Sequence, residues 1–311
     1  MKVQLLNKIS PEGLKHFDVS MYETGDNFDD YDAILVRSAS LHEMEFPQSL
    51  KCIARAGAGV NNIPLQRCSE QGIVVFNTPG ANANAVKELT IAGLLLASRK
   101  IVKGIEWVKT LDPKDIAKTV EKGKSQFAGP EIMGKKLGVI GLGAIGVQVA
   151  NAAAALGMDV YGYDPYISVN AAWTLKARIH HITQLKTIFE ECDYITLHLP
   201  LLDSTRGMLN EEAFAQMKDG VRIVNFARDG LIEQDALISA IENGKVAAFV
   251  TDFADEKLLH LEQVIITPHL GASTPESEDN CARMAVEETR EYLETGNIRN
   301  SVNMPALSLE P

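Results

Sequence analysis

Short β-branched runs alternate along this chain with longer, alanine-rich stretches whose apolar residues recur at helical spacing. This is the pattern of parallel βαβ units. In the first hundred residues the predicted strands are KVQLL, AILV, CIA and IVVF. A second series begins at Leu137: LGVIG, DVYGY, YITLH, VRIVN, AAFVT and QVIIT. Six strands with helices between them make one complete doubly wound sheet. Between the two series lies ANAVKELTIAGLLLASRKIVKGIEWV, which is apolar at helical spacing and long enough to cross between domains. The late stretch PESEDNCARMAVEETREYLETG predicts a helix that returns the chain to the first domain. The expected architecture is α/β and discontinuous, with residues 1–98 and 283–311 in one domain and 99–282 in the other. A length of 311 residues points the same way, because single cores stop growing at about 250–300 residues.

The stretch KKLGVIGLGAIGVQVANAAAALGMDVYGYDPY adds chemistry to the pattern. Gly141, Gly143 and Gly146 form G-x-G-x-x-G directly after a strand and at the start of a helix. The first glycine permits a tight turn, the second lets a pyrophosphate approach the backbone, and the third lets the helix pack on the strand. The helix N-terminus, with Ala144 and Ile145 in its first turn, offers unpaired N–H groups to phosphate oxygens. Asp164 ends the next strand 18 residues after Gly146. A carboxylate there accepts hydrogen bonds from a ribose diol and repels a 2′-phosphate, so NAD is expected rather than NADP.

Ligands of open α/β sheets sit beyond the carboxyl ends of the strands. Three segments end there in polar residues: YITLHLPLLDST, VRIVNFARDG and VIITPHLGAST. Arg228 is a fixed cation suited to clamping a carboxylate through two hydrogen bonds, or else a surface ion-pair former. His269 can exchange a proton with a hydroxyl near neutral pH, or else serve as a hydrogen-bonded structural residue. His198 has the same nominal placement, so position alone does not choose between the two histidines.

Charge and cysteine usage narrow the partners. The formal net charge is −11, which repels polyphosphate and argues against nucleic acid. Any anionic ligand must therefore be held by a few local cations. Cys52, Cys68, Cys192 and Cys281 show no CxxC spacing, so neither a zinc site nor a disulfide framework is expected, and no metal is assigned. The N-terminus has no apolar core of signal-peptide length, and the apolar stretch IAGLLLA is too short to span a bilayer. A soluble, cytoplasmic protein without a membrane partner is the expectation.

Taken together, VIGLGAIG, HLPLLDSTRGMLN, NFARDGLIEQDAL and ITPHLGAST resemble the D-isomer-specific 2-hydroxyacid dehydrogenases. The first domain adds VRSAS, RAGAGVNNIP and FNTPGANANAVKEL, and the resemblance runs from about Ala33 to NSVNMP. It implies a Rossmann nucleotide-binding domain plus a flavodoxin-like substrate domain, both doubly wound parallel sheets. It further implies that Arg228 binds the substrate carboxylate and polarises its carbonyl, and that His269 is the acid/base. Cofactor contacts are implied at Pro200, Thr205, Ala227 and Asp252. The family's phosphate and carboxylate contacts map onto Arg37, Ser38 and Asn82, with Arg55 as a further cation. Within the family these first-domain motifs point to NAD-dependent oxidation of D-3-phosphoglycerate to 3-phosphohydroxypyruvate, the entry to serine synthesis. The alternatives are a dehydrogenase of an unphosphorylated D-2-hydroxy acid and a non-catalytic NAD(H)-sensing protein. A homodimer formed through the nucleotide-binding domain is implied. Residues after about 304 are too few for the serine-binding regulatory domain of some relatives, so no inhibition by serine through one is expected.

Four positions depart from the family pattern. The glutamate expected five residues after Asp252 to pair with His269 is Lys257, with Asp255 and Glu256 as weak substitutes. Lys87 stands where alanine is usual, in the first turns of the helix after the Asn82 loop. A cation there is unfavourable by itself, and it is expected either to assist proton transfer or to pair with Glu88. Asn61 replaces an aspartate beside the anion site. Asp229 replaces the glycine after Arg228 and is expected to pair with that arginine or face solvent.

Overall fold

The computed structural model describes residues 1–176 and 178–304; the expectations that concern residues 305–311 lie outside the described residues. The chain divides into two compact units, Met1–Ala85 with Ala272–Pro311, and Val86–Gly271. Each is built on one all-parallel sheet.

The first unit holds β1 (Lys2–Leu6), β2 (Glu23–Gly25), β3 (Ala33–Val36), β4 (Cys52–Arg55) and β5 (Val74–Phe76) in the order β2-β1-β3-β4-β5. That is the flavodoxin-like order. The helices α1 (Pro11–Leu14) and α2 (Leu65–Glu70) belong to it. Residues of β3 and β4 are buried on both faces, as a sheet covered by helices requires. β2 was not expected from the sequence: it is a three-residue edge strand, ETG, with two exposed positions and no apolar side chain to mark it.

The second unit opens with α3 (Ala83–Ser98), α4 (Ile101–Lys109) and α5 (Ile116–Gly123), and continues through β6 (Lys136–Ile140), α6 (Ala144–Ala155), β7 (Asp159–Tyr163), α7 (Val169–Thr174), β8 (His180–Ile182), α8 (Leu185–Glu191), β9 (Tyr194–Leu197), α9 (Glu211–Gln216), β10 (Val221–Asn225), α10 (Gln234–Glu242), β11 (Val246–Thr251) and β12 (Val264–Ile266). The strand order is β12-β11-β10-β9-β6-β7-β8. The order reverses between β6 and β9, the switch point where ligands of doubly wound sheets bind. The sequence predicted six strands here and the sheet has seven. β8 escaped notice because its HHI is short and polar, with His180 turned outward to Asp159 at 2.7 Å.

The sequence reading drew the domain edges at 98/99 and 282/283, whereas the units part at Ala85/Val86 and Gly271/Ala272. Packing explains where the edges lie. α3 lies on the second sheet, with Leu94 and Ala97 in the same core as Val139, Tyr194 and Val224. Its Gly93 comes so near β10 that an added Cβ would sit 3.1 Å from Val224. The chain then returns to the first unit with α11 (Pro275–Thr295), whose Cys281, Ala282, Ala285 and Val286 pack with Val3, Leu35 and Phe76.

Candidate active site

The glycine turn behaves as its spacing demands. Gly141 adopts φ +95°, a region that penalises side chains, and an added Cβ would lie 2.6 Å from the His198 carbonyl. A Cβ on Gly146 would fall 1.8 Å from the Gly141 carbonyl, so only glycine lets α6 start here. Gly143 has open space where its side chain would be. The Val147 N–H closes the first helical bond on the Gly143 carbonyl at 3.1 Å, which leaves the N–H groups of Ala144, Ile145 and Gly146 without a helical acceptor. Crowding at two glycines and space at the third fit a pyrophosphate laid across the turn. Asp164 is tied to the same turn: its Oδ2 accepts the Leu142 N–H at 2.8 Å and its Oδ1 the Tyr166 N–H at 2.8 Å.

The two histidines separate clearly. His198 packs behind the glycine turn, its backbone N–H on the Ile140 carbonyl at 2.8 Å and its Nε2 3.0 Å from the Thr196 hydroxyl. Its Nδ1 is buried without a partner. Burial pulls its pKa down to about 3, so it is neutral throughout the physiological range. It is a structural residue of the turn.

His269 is exposed, with φ +56°, and its ring meets Phe253 edge-on at 5.8 Å. A left-handed histidine costs about 1 kcal/mol or more and persists only where its surroundings impose it. Here the surroundings are Asp252. This residue is 4% exposed, and its Oδ1 accepts the Leu270 N–H at 2.7 Å and the Thr267 hydroxyl at 2.6 Å. Its Oδ2 accepts the Gly271 N–H at 2.7 Å. Lys257, at the position where a glutamate is usual, reaches instead to Asp235 on α10 at 2.8 Å, and its own N–H is held by Asp255.

The carboxyl ends of β10, β11 and β12 are stitched together beneath this turn. Asn225, 1% exposed, donates Nδ2 to the Arg228 carbonyl at 2.9 Å and accepts the Ala227 N–H at 3.1 Å. Thr251 donates its hydroxyl to the Asn225 carbonyl at 3.1 Å, and the Thr267 N–H bonds the Thr251 carbonyl at 2.9 Å. Arg228 is exposed, its Nη1 resting on the Ala227 carbonyl at 2.6 Å, and it forms no ion pair among the described residues. Asp229 is likewise exposed and forms no ion pair among the described residues, so it does not neutralise that arginine. The Pro200–Thr205 loop closes on itself, the Thr205 hydroxyl donating to the Pro200 carbonyl at 2.7 Å. It joins the Arg228 loop where the Gly207 N–H meets the Gly230 carbonyl at 2.9 Å.

The N-terminal turn of α3 also reaches this region, since Val86 lies 3.7 Å from where a Gly271 Cβ would stand. Lys87 follows it with a side chain only 22% exposed, its Nζ 3.8 Å from Glu88. That pairing is long, so Lys87 is not held hard against its neighbour.

In the first unit, Arg37 and Arg55 leave the carboxyl ends of β3 and β4. The Arg55 Nε donates to the Arg37 carbonyl at 3.0 Å, and its Nη1 bonds the Gly59 carbonyl. The Arg37 Nη1 pairs with Glu278 at 2.8 Å. Burial raises the Cys281 thiol, and the charges of both arginines act on it in the opposite sense, so their fields converge on one neighbourhood. Ser38 and Ala39 are fixed by the Asn7 side chain, which accepts both N–H groups. The Asn82 Oδ1 is buried and unpartnered. Asn61 lies in the neighbouring loop, its carbonyl 2.9 Å from the His42 ring.

Asn225, Thr251, Thr267, Asn7 and Glu278 were not singled out from sequence. The signal available for the first three was a polar residue at or just past the end of an apolar strand, where an unpaired polar group is costly. Among the described residues no group of three or more His, Cys, Asp or Glu is placed to hold a metal ion, and no helix is long and apolar enough to cross a membrane.

Comparisons with known proteins bear on the family and the fold. A D-3-phosphoglycerate dehydrogenase of Methanocaldococcus jannaschii is 38% identical over 290 residues, covering 90% of this chain and 53% of the relative. The chain spans about half the length of the D-3-phosphoglycerate dehydrogenases it matches. A hydroxypyruvate reductase of Thermotoga maritima is 41% identical over 259 residues, covering 79% of this chain and 80% of the relative. The solved structure of NAD+-bound 3-phosphoglycerate dehydrogenase from Entamoeba histolytica superposes with a TM-score of 0.77 at 26% identity, covering 98% of this chain and 99% of that one. Residues 91–271 match the family described as D-isomer specific 2-hydroxyacid dehydrogenase, NAD binding domain. With a glycine turn that admits a dinucleotide at the sheet's switch point and a histidine turn clamped by a buried aspartate, this chain belongs to the D-isomer specific 2-hydroxyacid dehydrogenase family.

Proposed function

We propose that this chain oxidises D-3-phosphoglycerate to 3-phosphohydroxypyruvate with NAD, the entry to serine biosynthesis. One observation carries the choice of a phosphorylated substrate. Arg55 donates to the Arg37 backbone carbonyl and both arginine charges act on the Cys281 thiol, so two cations leave neighbouring strand ends toward one neighbourhood in a chain of net charge −11. An acidic molecule that concentrates cations there is built to hold a dianion. The names of several relatives at 35–38% identity support the same reading.

In this reading Arg37, Ser38, Arg55 and Asn82 hold the phosphate, Arg37 exchanging Glu278 for the ligand. Arg228 holds the substrate carboxylate and polarises the carbon–oxygen bond. His269 takes the hydroxyl proton as hydride leaves C2, and releases that proton to solvent afterwards. Lys87 assists that transfer. Asp252 acts on the reaction by fixing the His269 turn. Gly141 shapes the turn, the N–H groups at Gly143, Ala144, Ile145 and Gly146 hold the pyrophosphate, Asp164 holds the ribose, and Pro200, Thr205 and Ala227 line the cofactor. The bound nicotinamide supplies the hydride acceptor.

A second reading, reduction of unphosphorylated hydroxypyruvate or a similar acid, is favoured by the hydroxypyruvate reductase relative, which matches over 80% of its own length. Consumption of NADH, followed by absorbance with phosphohydroxypyruvate and with hydroxypyruvate, separates the two. Turnover of only the unphosphorylated acid overturns the first reading, and turnover of neither leaves an NAD(H)-sensing protein. We place the enzyme in the cytoplasm as a homodimer joined through α4 and α5, where Ile101, Ile105, Val108 and Ile116 are 40–53% exposed. Such a row of aliphatic side chains suits a second copy of the same surface.

A further inference from the structure

The second sheet has chemistry at its amino edge as well. A hollow of about 290 Å³ opens at the first residues of β9 and β10, lined by Lys135, Asp193, Tyr194, Lys218, Asp219 and Arg222. The glycine turn and the His269 turn follow the carboxyl ends of β6 and β12, at the opposite edge of the same parallel sheet. The hollow is therefore separate from the candidate active site.

Its charges do not cancel. Asp193 is satisfied twice, its Oδ1 by Lys218 at 2.8 Å and its Oδ2 by the Lys136 N–H at 2.9 Å. Asp219 is paired with Lys245 at 2.7 Å. Both carboxylates thus have their own lysines. Lys135 and Arg222 form no ion pair among the described residues, and both are half-buried. Arg222 is held rigidly: Nε donates to the Ala97 carbonyl at 3.0 Å, Nη1 to the Gly220 carbonyl at 3.3 Å, and the guanidinium lies over the Tyr194 ring at 5.5 Å. Tyr194 is fixed in turn by the Ser98 hydroxyl at 2.6 Å. Nη2 has no acceptor among the described residues. A rigidly held guanidinium with an open donor, sharing the hollow with an ammonium that forms no ion pair among the described residues, offers an anion two charged donors.

We propose that this hollow is a binding site for a small oxyanion, a phosphate or a carboxylate, held by Arg222 Nη2 and the Lys135 ammonium. It is distinct from both anion sites of the proposed reaction, and does not rest on that reaction being correct.

The test uses the full chain with NADH at saturation, so that the glycine turn is filled. Inorganic phosphate and malonate are titrated in parallel against sodium chloride at equal ionic strength, with Tm and calorimetric heat as readouts. The expected result is a saturable rise in Tm that chloride does not produce, retained in Arg37→Ala and weakened about tenfold or more in Lys135→Gln. Response to phosphate alone assigns a phosphate site, and response to malonate alone a carboxylate site. Arg222→Gln should abolish the effect, but it also removes the bond to Ala97; Lys135→Gln carries the test if that variant does not fold. Saturation unchanged in Lys135→Gln, loss of the effect in Arg37→Ala, or a rise equal to that with chloride overturns the proposal.

Discussion

Asp252 reaches the His269 turn through the backbone: its two carboxylate oxygens accept the N–H groups of Leu270 and Gly271, the residues directly after the histidine, each at 2.7 Å. The side chain that fixes the turn is thus 17 residues upstream of the histidine it positions. Asp252→Asn should keep the packing but set an amide N–H against a backbone donor, costing about 1–3 kcal/mol. The turn would shift, and kcat should fall roughly 10- to 100-fold, with little change in cofactor affinity. Chemical denaturation and steady-state kinetics check this; wild-type kcat in the variant would remove Asp252 from its positioning role.

His269 itself carries backbone strain at φ +56°. His269→Ala and His269→Gly should lose similar activity, about 10²- to 10⁴-fold. The glycine variant should nevertheless be the more stable of the two by about 1 kcal/mol, because it relieves the left-handed conformation. Lys87→Ala, measured in parallel, should lower kcat about tenfold. Near-normal turnover in Lys87→Ala excludes that lysine from proton transfer.

Arg37→Ala should discriminate between substrates. Loss of a charge-assisted bond of about 1.5–3 kcal/mol raises KM for the phosphorylated acid roughly 10- to 100-fold. KM for hydroxypyruvate should stay where it is. Equal losses on both substrates would place Arg37 outside the phosphate site.

Stability against pH should show two opposing contributions. His198 has its folded pKa lowered from 6.5 to about 3 by burial. Its contribution is present above pH 6.5 and is lost as pH falls toward 3, at no more than about 1.4 kcal/mol per pH unit. Glu288 is 7% exposed; its Oε1 accepts Asn300 Nδ2 at 2.7 Å and its Oε2 is buried and unpartnered. Burial raises its pKa from 4.5 to about 7. Its contribution is present below pH 4.5 and is lost as pH rises through 7. The two slopes oppose each other between pH 4.5 and 6.5. Urea denaturation across that window should show stability rising with pH in Glu288→Gln and falling with pH in His198→Asn. The same slope in both variants would refute the assignment.

Ile105→Asp should leave NADH binding intact while shifting the protein from dimer to monomer in sedimentation velocity. Ile105 is 53% exposed on α4, and a carboxylate there opposes burial against a second copy. A dimer that survives the substitution places the interface elsewhere.

The sequence was most readable where one residue type has a single physical use. The glycine triplet and Asp164 fall into this class, and so does the alternation of strand and helix. The two edge strands were hidden because ETG and HHI carry no apolar alternation. The choice between His198 and His269 was hidden for a different reason: both follow apolar strands, and only tertiary packing shows one half-buried behind Gly146 with its Nδ1 shut off from solvent and the other exposed on a turn. Asp252 was legible as important through resemblance, but its clamp depends on a loop whose path no local pattern encodes. The uncompensated pair Lys135 and Arg222 was equally invisible, since 87 residues separate them and only the parallel sheet brings them together.

The 16 residues of α3 make it a rod of about 24 Å. One end lies against the histidine turn through Val86, and the other is gripped by Arg222 at Ala97. Neither anchor can slide along the chain. Inserting or deleting one residue within the rod would rotate one end about 100° relative to the other, swinging Lys87 away from its present heading or pulling the Ala97 carbonyl off its guanidinium. The number of residues in this segment is therefore expected to be as constrained as their identity, and single-residue insertions through it should impair folding or turnover even where every side chain is kept.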